Sequence, residues 1–249
     1  MHFSPQLPFD FSVSEKFTFS NFLVSAKNAE IVKLLENIDT FNEHLAFIWG
    51  NSGVGKSHLL QALCHEYEYE YEMKDEEDSK TKDAEPQKSH CLYLPMQKIK
   101  VFGPEVFNSL HHMDVICIDD FDSVTGDNEW EESLFEFFNR SREEGVKLIV
   151  SANNPPRGVD FSLPDLASRM SWGVIYQLFE LNDDEKISAL DRRAREKNMP
   201  MNNEVLQYIY MRHSRDLQSL LSVLDKLDQL SLAEKRRLTI PFIKQVMGW

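Results

Sequence analysis

Gly50-Asn51-Ser52-Gly53-Val54-Gly55-Lys56-Ser57 is the stretch that decides the fold. The octapeptide satisfies G-x-x-x-x-G-K-[ST] at every fixed position, a spacing whose glycines let backbone amides wrap around phosphate oxygens without Cβ clashes. Its flanks supply the context such a loop needs. His44 to Trp49 is an apolar run of strand length, and His58-Leu59-Leu60-Gln61-Ala62-Leu63 opens a helix immediately afterwards. Loop amides and the positive end of that helix then converge on one anionic point. In this arrangement Lys56 reaches the terminal phosphates and Ser57 ligates Mg2+.

Outward from the loop, strand and helix patterns alternate. Cys91 to Leu94, Val115 to Ile118, Val146 to Val150 and Val174 to Leu178 are further apolar runs of strand length, each bounded by polar residues, Gly or Pro. Glu129 to Glu144 places Trp130, Leu134, Phe137 and Phe138 at helical spacing. The alternation predicts an α/β fold, a parallel sheet covered by helices. After Leu178 only helical patterns remain: one capped by Asp183 and running to about Lys197, others beginning at Asn202 and Ser214, and a last one with Pro241 in its first turn. They predict a small all-helical C-terminal domain.

Two further motifs join the loop. Val115-Ile116-Cys117-Ile118-Asp119-Asp120 delivers two carboxylates at the C-terminal edge of a strand, where parallel sheets bind ligands. Asp119 suits a magnesium ion beside a polyphosphate, and Asp120 is placed to orient or activate water. Ser151-Ala152-Asn153-Asn154-Pro155-Pro156 ends the next strand, and there Asn153 either holds an attacking water or is simply an Asn in a Pro-rich loop. Arg169 ends Leu163-Pro164-Asp165-Leu166-Ala167-Ser168-Arg169; it is a surface charge or, more sharply, an arginine offered in trans to a transferring phosphoryl group.

Composition limits the partners. Against 41 acidic residues there are 27 basic ones, a net charge of −14 that disfavours a surface built to grip phosphate backbones. Glu66 to Lys88 alone contributes ten acidic and four basic residues. The first part of this stretch continues the preceding helix, and the rest reads as an acidic surface insertion, residues 66–89 overall. No apolar run approaches the roughly 18 residues of a membrane span, and Met1 to Asp10 lacks the pattern of a secretory signal. Cys64, Cys91 and Cys117 are widely spaced without a C-x-x-C pair, which suits a reducing cytoplasm and offers no zinc site.

Phe17-Thr18-Phe19-Ser20-Asn21-Phe22, the Leu163 to Arg169 stretch and Leu238-Thr239-Ile240-Pro241-Phe242-Ile243-Lys244 carry a resemblance that covers nearly the whole chain. The set resembles the DnaA-related AAA+ ATPases of the initiator clade, and within them the Hda-type regulatory inactivators of the replication initiator DnaA. The resemblance implies a P-loop AAA+ domain at 16–178 and a helical lid at 179–249. It puts Asn153 at the sensor 1 position, Arg169 at the box VII arginine finger and Arg215 at the sensor 2 position of the lid. Phe19, Asn21 and Phe22 fall in the linker that packs beside adenine. ADP, or ATP, with Mg2+ is the implied cofactor set, and intrinsic turnover is expected to be weak, since Asn153 and Asn154 replace the family's Asp and Arg around sensor 1.

The same resemblance implies what the chain works with. Gln6, Leu7, Pro8, Phe9 and Phe11 resemble the short Gln-Leu motif that docks on the DNA polymerase sliding clamp, which makes residues 1–15 a clamp-binding peptide; Asp10 departs from that motif's usual content. An extended, Pro-stiffened peptide with a few apolar anchors suits a shallow hydrophobic pocket. The sequence ends at Trp249 just after the lid, so sequence-specific duplex reading is not expected. The implied role is a cytoplasmic negative regulator of chromosome replication initiation that stimulates ATP hydrolysis by DnaA, itself as a homodimer or higher oligomer. Two alternatives stand beside it: an ATP-hydrolysing loader of a helicase or DNA complex, related to DnaA and DnaC, and a silent scaffold that binds ADP for stability.

Overall fold

The computed structural model describes residues 17–78, 91–110, 113–234 and 238–249, with the backbone alone for 68–78, 109 and 231–234. The chain divides into two compact units, Met1–Phe179 and Glu180–Trp249. Unit 1 is built on five strands, β1 (Leu45–Trp49), β2 (Cys91–Pro95), β3 (Val115–Asp119), β4 (Lys147–Ala152) and β5 (Val174–Gln177). All pair in parallel, in the order β2-β3-β4-β1-β5, so the α/β expectation holds. In chain order the helices of unit 1 are α1 (Ala29–Glu36), α2 (Lys56–Asp78), α3 (Met96–Ile99), α4 (Asn128–Glu143) and α5 (Pro164–Met170).

Both sheet faces are covered, and this explains why the strands read as continuous apolar runs rather than alternating ones. Leu45, Phe47, Ile116, Ile118, Leu148 and Val150 pack on one face with Leu134, Phe137 and Phe138 of α4 and Leu166 of α5. Ala46, Ile48, Val115, Cys117 and Ile149, displaced by one residue, pack on the other with Ile31 and Leu35 of α1 and Leu59, Leu60 and Leu63 of α2. Strand ends extend slightly beyond the sequence expectation. Asp119 is the last residue of β3, and Ser151 and Ala152 belong to β4.

Unit 2 contains α6 (Asp183–Glu196), α7 (Asn203–Arg212), α8 (Leu217–Glu234) and α9 (Ile240–Met247), packed around Leu190, Ile209, Leu220, Leu224, Leu227 and Ile243. One cap assignment and one helix start change. Asn182, not Asp183, caps α6: it accepts the Glu185 amide while Glu185 reaches back to the Asn182 amide, a reciprocal pair that satisfies two orphan donors. Asp216 rather than Ser214 faces the start of α8 and accepts the Ser219 amide at 2.8 Å, which holds its carboxyl below the usual range. Asn202 caps α7 through the Val205 amide as the sequence suggested.

Candidate functional site

The strand order fixes the site. β4 lies between β3 and β1, so the C-terminal edge of the sheet presents Asp119 and Asp120, then Asn153, then the Gly50 to Ser57 loop as neighbours. The loop is shaped by its glycines. A Cβ on Gly50 would lie 2.5 Å from the Leu178 carbonyl oxygen, and Gly55, at φ +106°, would drive one to 2.7 Å from the Phe22 ring. Both positions need the missing side chain, Gly55 also the left-handed backbone. Helix α2 begins at Lys56, so the amides of Lys56, Ser57 and His58 belong to a first turn that has no intrahelical acceptor for them.

Lys56 is buried, with its ammonium donating to the carbonyls of Gly50 at 2.7 Å and Asn51 at 3.0 Å and to Asn153 Oδ1 at 3.2 Å. Burial depresses its pKa, and Asp120, Asp119 and Asp122 oppose that depression. Asn153 is itself held from the other side. Its Nδ2 donates to Asp122 Oδ2 at 2.5 Å, and its backbone amide points to the same carboxylate. Lys56, Asn153 and Asp122 therefore form one line linking the loop to the ends of β4 and β3.

The two adjacent carboxylates have different surroundings. Asp119 is buried and accepts from the Tyr93 hydroxyl at 2.6 Å and from Ser151 Oγ. Ser151 Oγ also accepts the Asp120 amide, and Gln61 of α2 donates to the Tyr93 hydroxyl at 3.4 Å. Asp120 sits at φ 53° in the left-handed region, which turns the chain sharply at the strand end. Burial raises its pKa, as do Asp119 and Asp122, while Lys56 pulls it down.

Beside the loop, Phe22 is buried, touches Gly55 and meets His58 edge-on at 5.2 Å. Phe19 is buried in the same core, and Asn21 Oδ1 accepts the Thr18 amide within its own turn. Arg169 lies in the last turn of α5 with its guanidinium 3.9 Å from the centroid of Trp172, a residue that is 53% exposed and whose ring Arg142 also overlies. The segment leading into α5 is pinned by Glu131, which is fully buried and accepts the amides of Gly126, Ser162 and Leu163. In unit 2, Arg215 is exposed, 3.8 Å from Asp183 and over the Tyr210 ring. Gln6, Leu7, Pro8, Phe9 and Phe11 lie outside the described residues.

Sequence reading missed several of these groups. Tyr93, Ser151 and Asp122 fix the orientation of Asp119 and Asn153, and Glu131 and Trp172 do the same for the Arg169 segment. The expectation about the cysteines is also corrected: Cys64, Cys91 and Cys117 are distant in sequence, yet their sulfurs lie within 4.8 Å of one another, because α2 packs over β2 and β3.

The residues fit a nucleotide diphosphate or triphosphate with Mg2+. First-turn amides, two obligatory glycines and a buried Lys would supply donors to phosphate oxygens, and Ser57 and Asp119 would supply the hard oxygen ligands that Mg2+ takes. Bound there, the metal would neutralise phosphate charge. Lys56, Asn153 and the loop amides would orient the phosphates of such a group, and Asp120 would be the carboxylate offered to a water.

Comparisons with known proteins agree with this geometry. The family model of the bacterial DnaA ATPase domain matches residues 13–177, and that of the Hda lid domain matches residues 183–247. Domain III of the replication initiation protein DnaA from Thermotoga maritima is similar in structure, with a TM-score of 0.72 at 19% identity over 94% of this chain and 96% of that one. AMPPCP-bound DnaA from Aquifex aeolicus gives 0.66 at 23% identity, over 88% of this chain and 67% of that one. The Thermotoga maritima Holliday junction branch migration motor RuvB gives 0.61 at 17% identity, over 93% and 71%. Among the described residues no helix is long and apolar enough to cross a membrane.

Proposed function

This chain belongs to the bacterial DnaA ATPase family of AAA+ proteins, and on that premise we propose that it is a DnaA-related regulator that limits replication initiation. It binds ADP or ATP with Mg2+ on the Gly50 to Ser57 loop, docks on the sliding clamp through Gln6, Leu7, Pro8, Phe9 and Phe11, and presents Arg169 to the triphosphate held by DnaA.

The observation that carries this reading is the placement of Arg169: in the last turn of a short helix whose entry is pinned by buried Glu131, over the ring of an exposed Trp, in a chain whose second unit matches the Hda lid. A planar guanidinium held this way matches phosphoryl oxygens bidentately. Supplied in trans, such a group accelerates phosphoryl transfer by about 10³- to 10⁵-fold in other systems, so one residue suffices to switch a slow ATPase. The acidic net charge, −14, agrees with partners that are proteins holding the DNA.

The test measures hydrolysis of DnaA-bound ATP with clamp loaded on DNA. Wild type stimulates it and Arg169→Ala does not; equal stimulation by the two would falsify the assignment. A chain lacking residues 1–11 loses clamp binding and keeps its nucleotide affinity, and retained clamp binding removes the N-terminal docking role. ATP turnover by the protein alone, accelerated by DNA, would place it instead with the loaders.

A further inference from the structure

The three cysteines lie away from the phosphate loop, on the sheet face that α2 covers. Cys64 comes from the third turn of α2, Cys91 opens β2, and Cys117 is the middle residue of β3, opposite Tyr93 in the strand register. Cys64 and Cys117 are fully buried, whereas Cys91 is half-buried and reaches solvent. The Cys64 and Cys91 sulfurs are 2.7 Å apart, and those of Cys91 and Cys117 are 4.0 Å apart. A disulfide needs about 2.05 Å, so the first pair is close to bonding distance.

We propose that Cys64 and Cys91 are an oxidative modification site at which a peroxide closes a disulfide between α2 and the start of β2. The accessible Cys91 thiolate attacks the peroxide oxygen, taking OH and releasing water after proton uptake, and becomes a sulfenic acid. The Cys64 thiol then displaces that hydroxyl as a second water, and the S–S bond forms. In sum, two thiols and one peroxide give one disulfide and two waters, with two electrons passing from sulfur to the peroxide.

Geometry selects this pair over its neighbour. Cys117 is the farther sulfur from Cys91, at 4.0 Å against 2.7 Å for Cys64, and it lies fully buried in the middle of β3. In a reducing compartment the pair rests as thiols, so the bond is a transient mark. Its position gives it a consequence. The 26 residues between Cys64 and Cys91 contain the whole of the acidic run, so the bond staples the two ends of that segment. Cys91 is also two residues before Tyr93, on the same side of β2, and Tyr93 holds Asp119.

The full chain is treated with hydrogen peroxide, alkylated under denaturing conditions and digested with trypsin for mass spectrometry. In wild type the alkylatable thiols fall from three to one, and the Cys64 and Cys91 peptides appear linked until dithiothreitol is added. Cys117→Ser keeps the link; Cys64→Ser and Cys91→Ser abolish it. Because wild type itself carries the readout, misfolding of a variant leaves the test intact. Three alkylatable thiols after peroxide, sulfinic acid at Cys91 without a link, or a link found only between two molecules overturns the proposal.

Discussion

The guanidinium of Arg169 lies over the face of Trp172, 3.9 Å from the ring centroid, and the ring is otherwise half open to solvent. The contact holds the cation against the ring without neutralising it. At an exposed site such a contact is worth about 0.5–1 kcal/mol, which corresponds to roughly two- to five-fold in an equilibrium or a rate. Trp172→Ala is expected to lower stimulation of DnaA ATP hydrolysis by about that factor, with Trp172→Phe intermediate and the chain's own ADP affinity unchanged. Stimulation at the wild-type level in Trp172→Ala would show that the ring does not position Arg169. Arg169→Lys loses both the stacking and the bidentate fork and should fall close to Arg169→Ala.

Lys56 makes a second prediction. Its ammonium is buried and shared among Gly50, Asn51 and Asn153, so it sits within the loop that is to receive phosphate. Charge-assisted bonds of this kind contribute about 1.5–3 kcal/mol, so Lys56→Ala should weaken ADP binding by about ten- to a hundredfold. Calorimetric titration checks this, and the rise in melting temperature that ADP produces in wild type should shrink accordingly. An unchanged affinity would remove the loop from the nucleotide site.

Glu131 is the least expected of the positioning groups. It is fully buried in α4 and accepts three backbone amides, those of Gly126, Ser162 and Leu163, the last at 2.6 Å. Glu131→Ala leaves these donors without a partner in the core, at a cost of at least about 3 kcal/mol. For a chain of this size that corresponds to a melting temperature lower by about 6–12 °C. Glu131→Gln keeps one acceptor oxygen and should lie between. A thermal scan of the three proteins decides it, and a loss below about 1 kcal/mol would mean that water replaces the carboxylate.

What could be read in advance follows from range. The phosphate loop, the strand runs and the helix starts near Asp183 and Asn202 are matters of a few consecutive residues, and one unambiguous loop placed the strands on a parallel sheet. Where the reading missed by one residue, as with Asp183 for Asn182, two adjacent polar residues competed for one cap. The contacts that orient the site are long-range. Asp122 meets Asn153 and Glu131 meets Ser162 across 31 positions each, and the three cysteines meet only because α2 lies over β2 and β3. No local periodicity encodes such pairings. The left-handed turn at Asp120 was likewise hidden, since a second Asp after a strand looks the same in either backbone conformation.

Asp120 yields the last prediction, in which stability and chemistry oppose each other. Its carboxyl is raised above the ordinary 3.8 by burial first and then by Asp119 and Asp122, with Lys56 only partly compensating. A raised carboxyl means that the folded chain holds this proton more tightly than the unfolded one. The folded state therefore loses stability as pH rises from 3.8 through the raised value, and at neutral pH the full penalty is present. Asp120→Asn removes the titrating group and keeps a side chain that tolerates the left-handed backbone at φ 53°. It is expected to melt higher than wild type at pH 7.5, with the advantage shrinking as pH falls toward 4. Asp120→Ala removes the same charge but adds a left-handed strain of about 1–2 kcal/mol, so it should gain less or nothing. Melting curves of the three proteins across that pH range check the sign, and an Asn variant less stable than wild type at pH 7.5 would show that Lys56 outweighs the burial. Any ATP turnover by the chain should fall in the same Asn variant if the destabilising carboxylate is the one that acts on water.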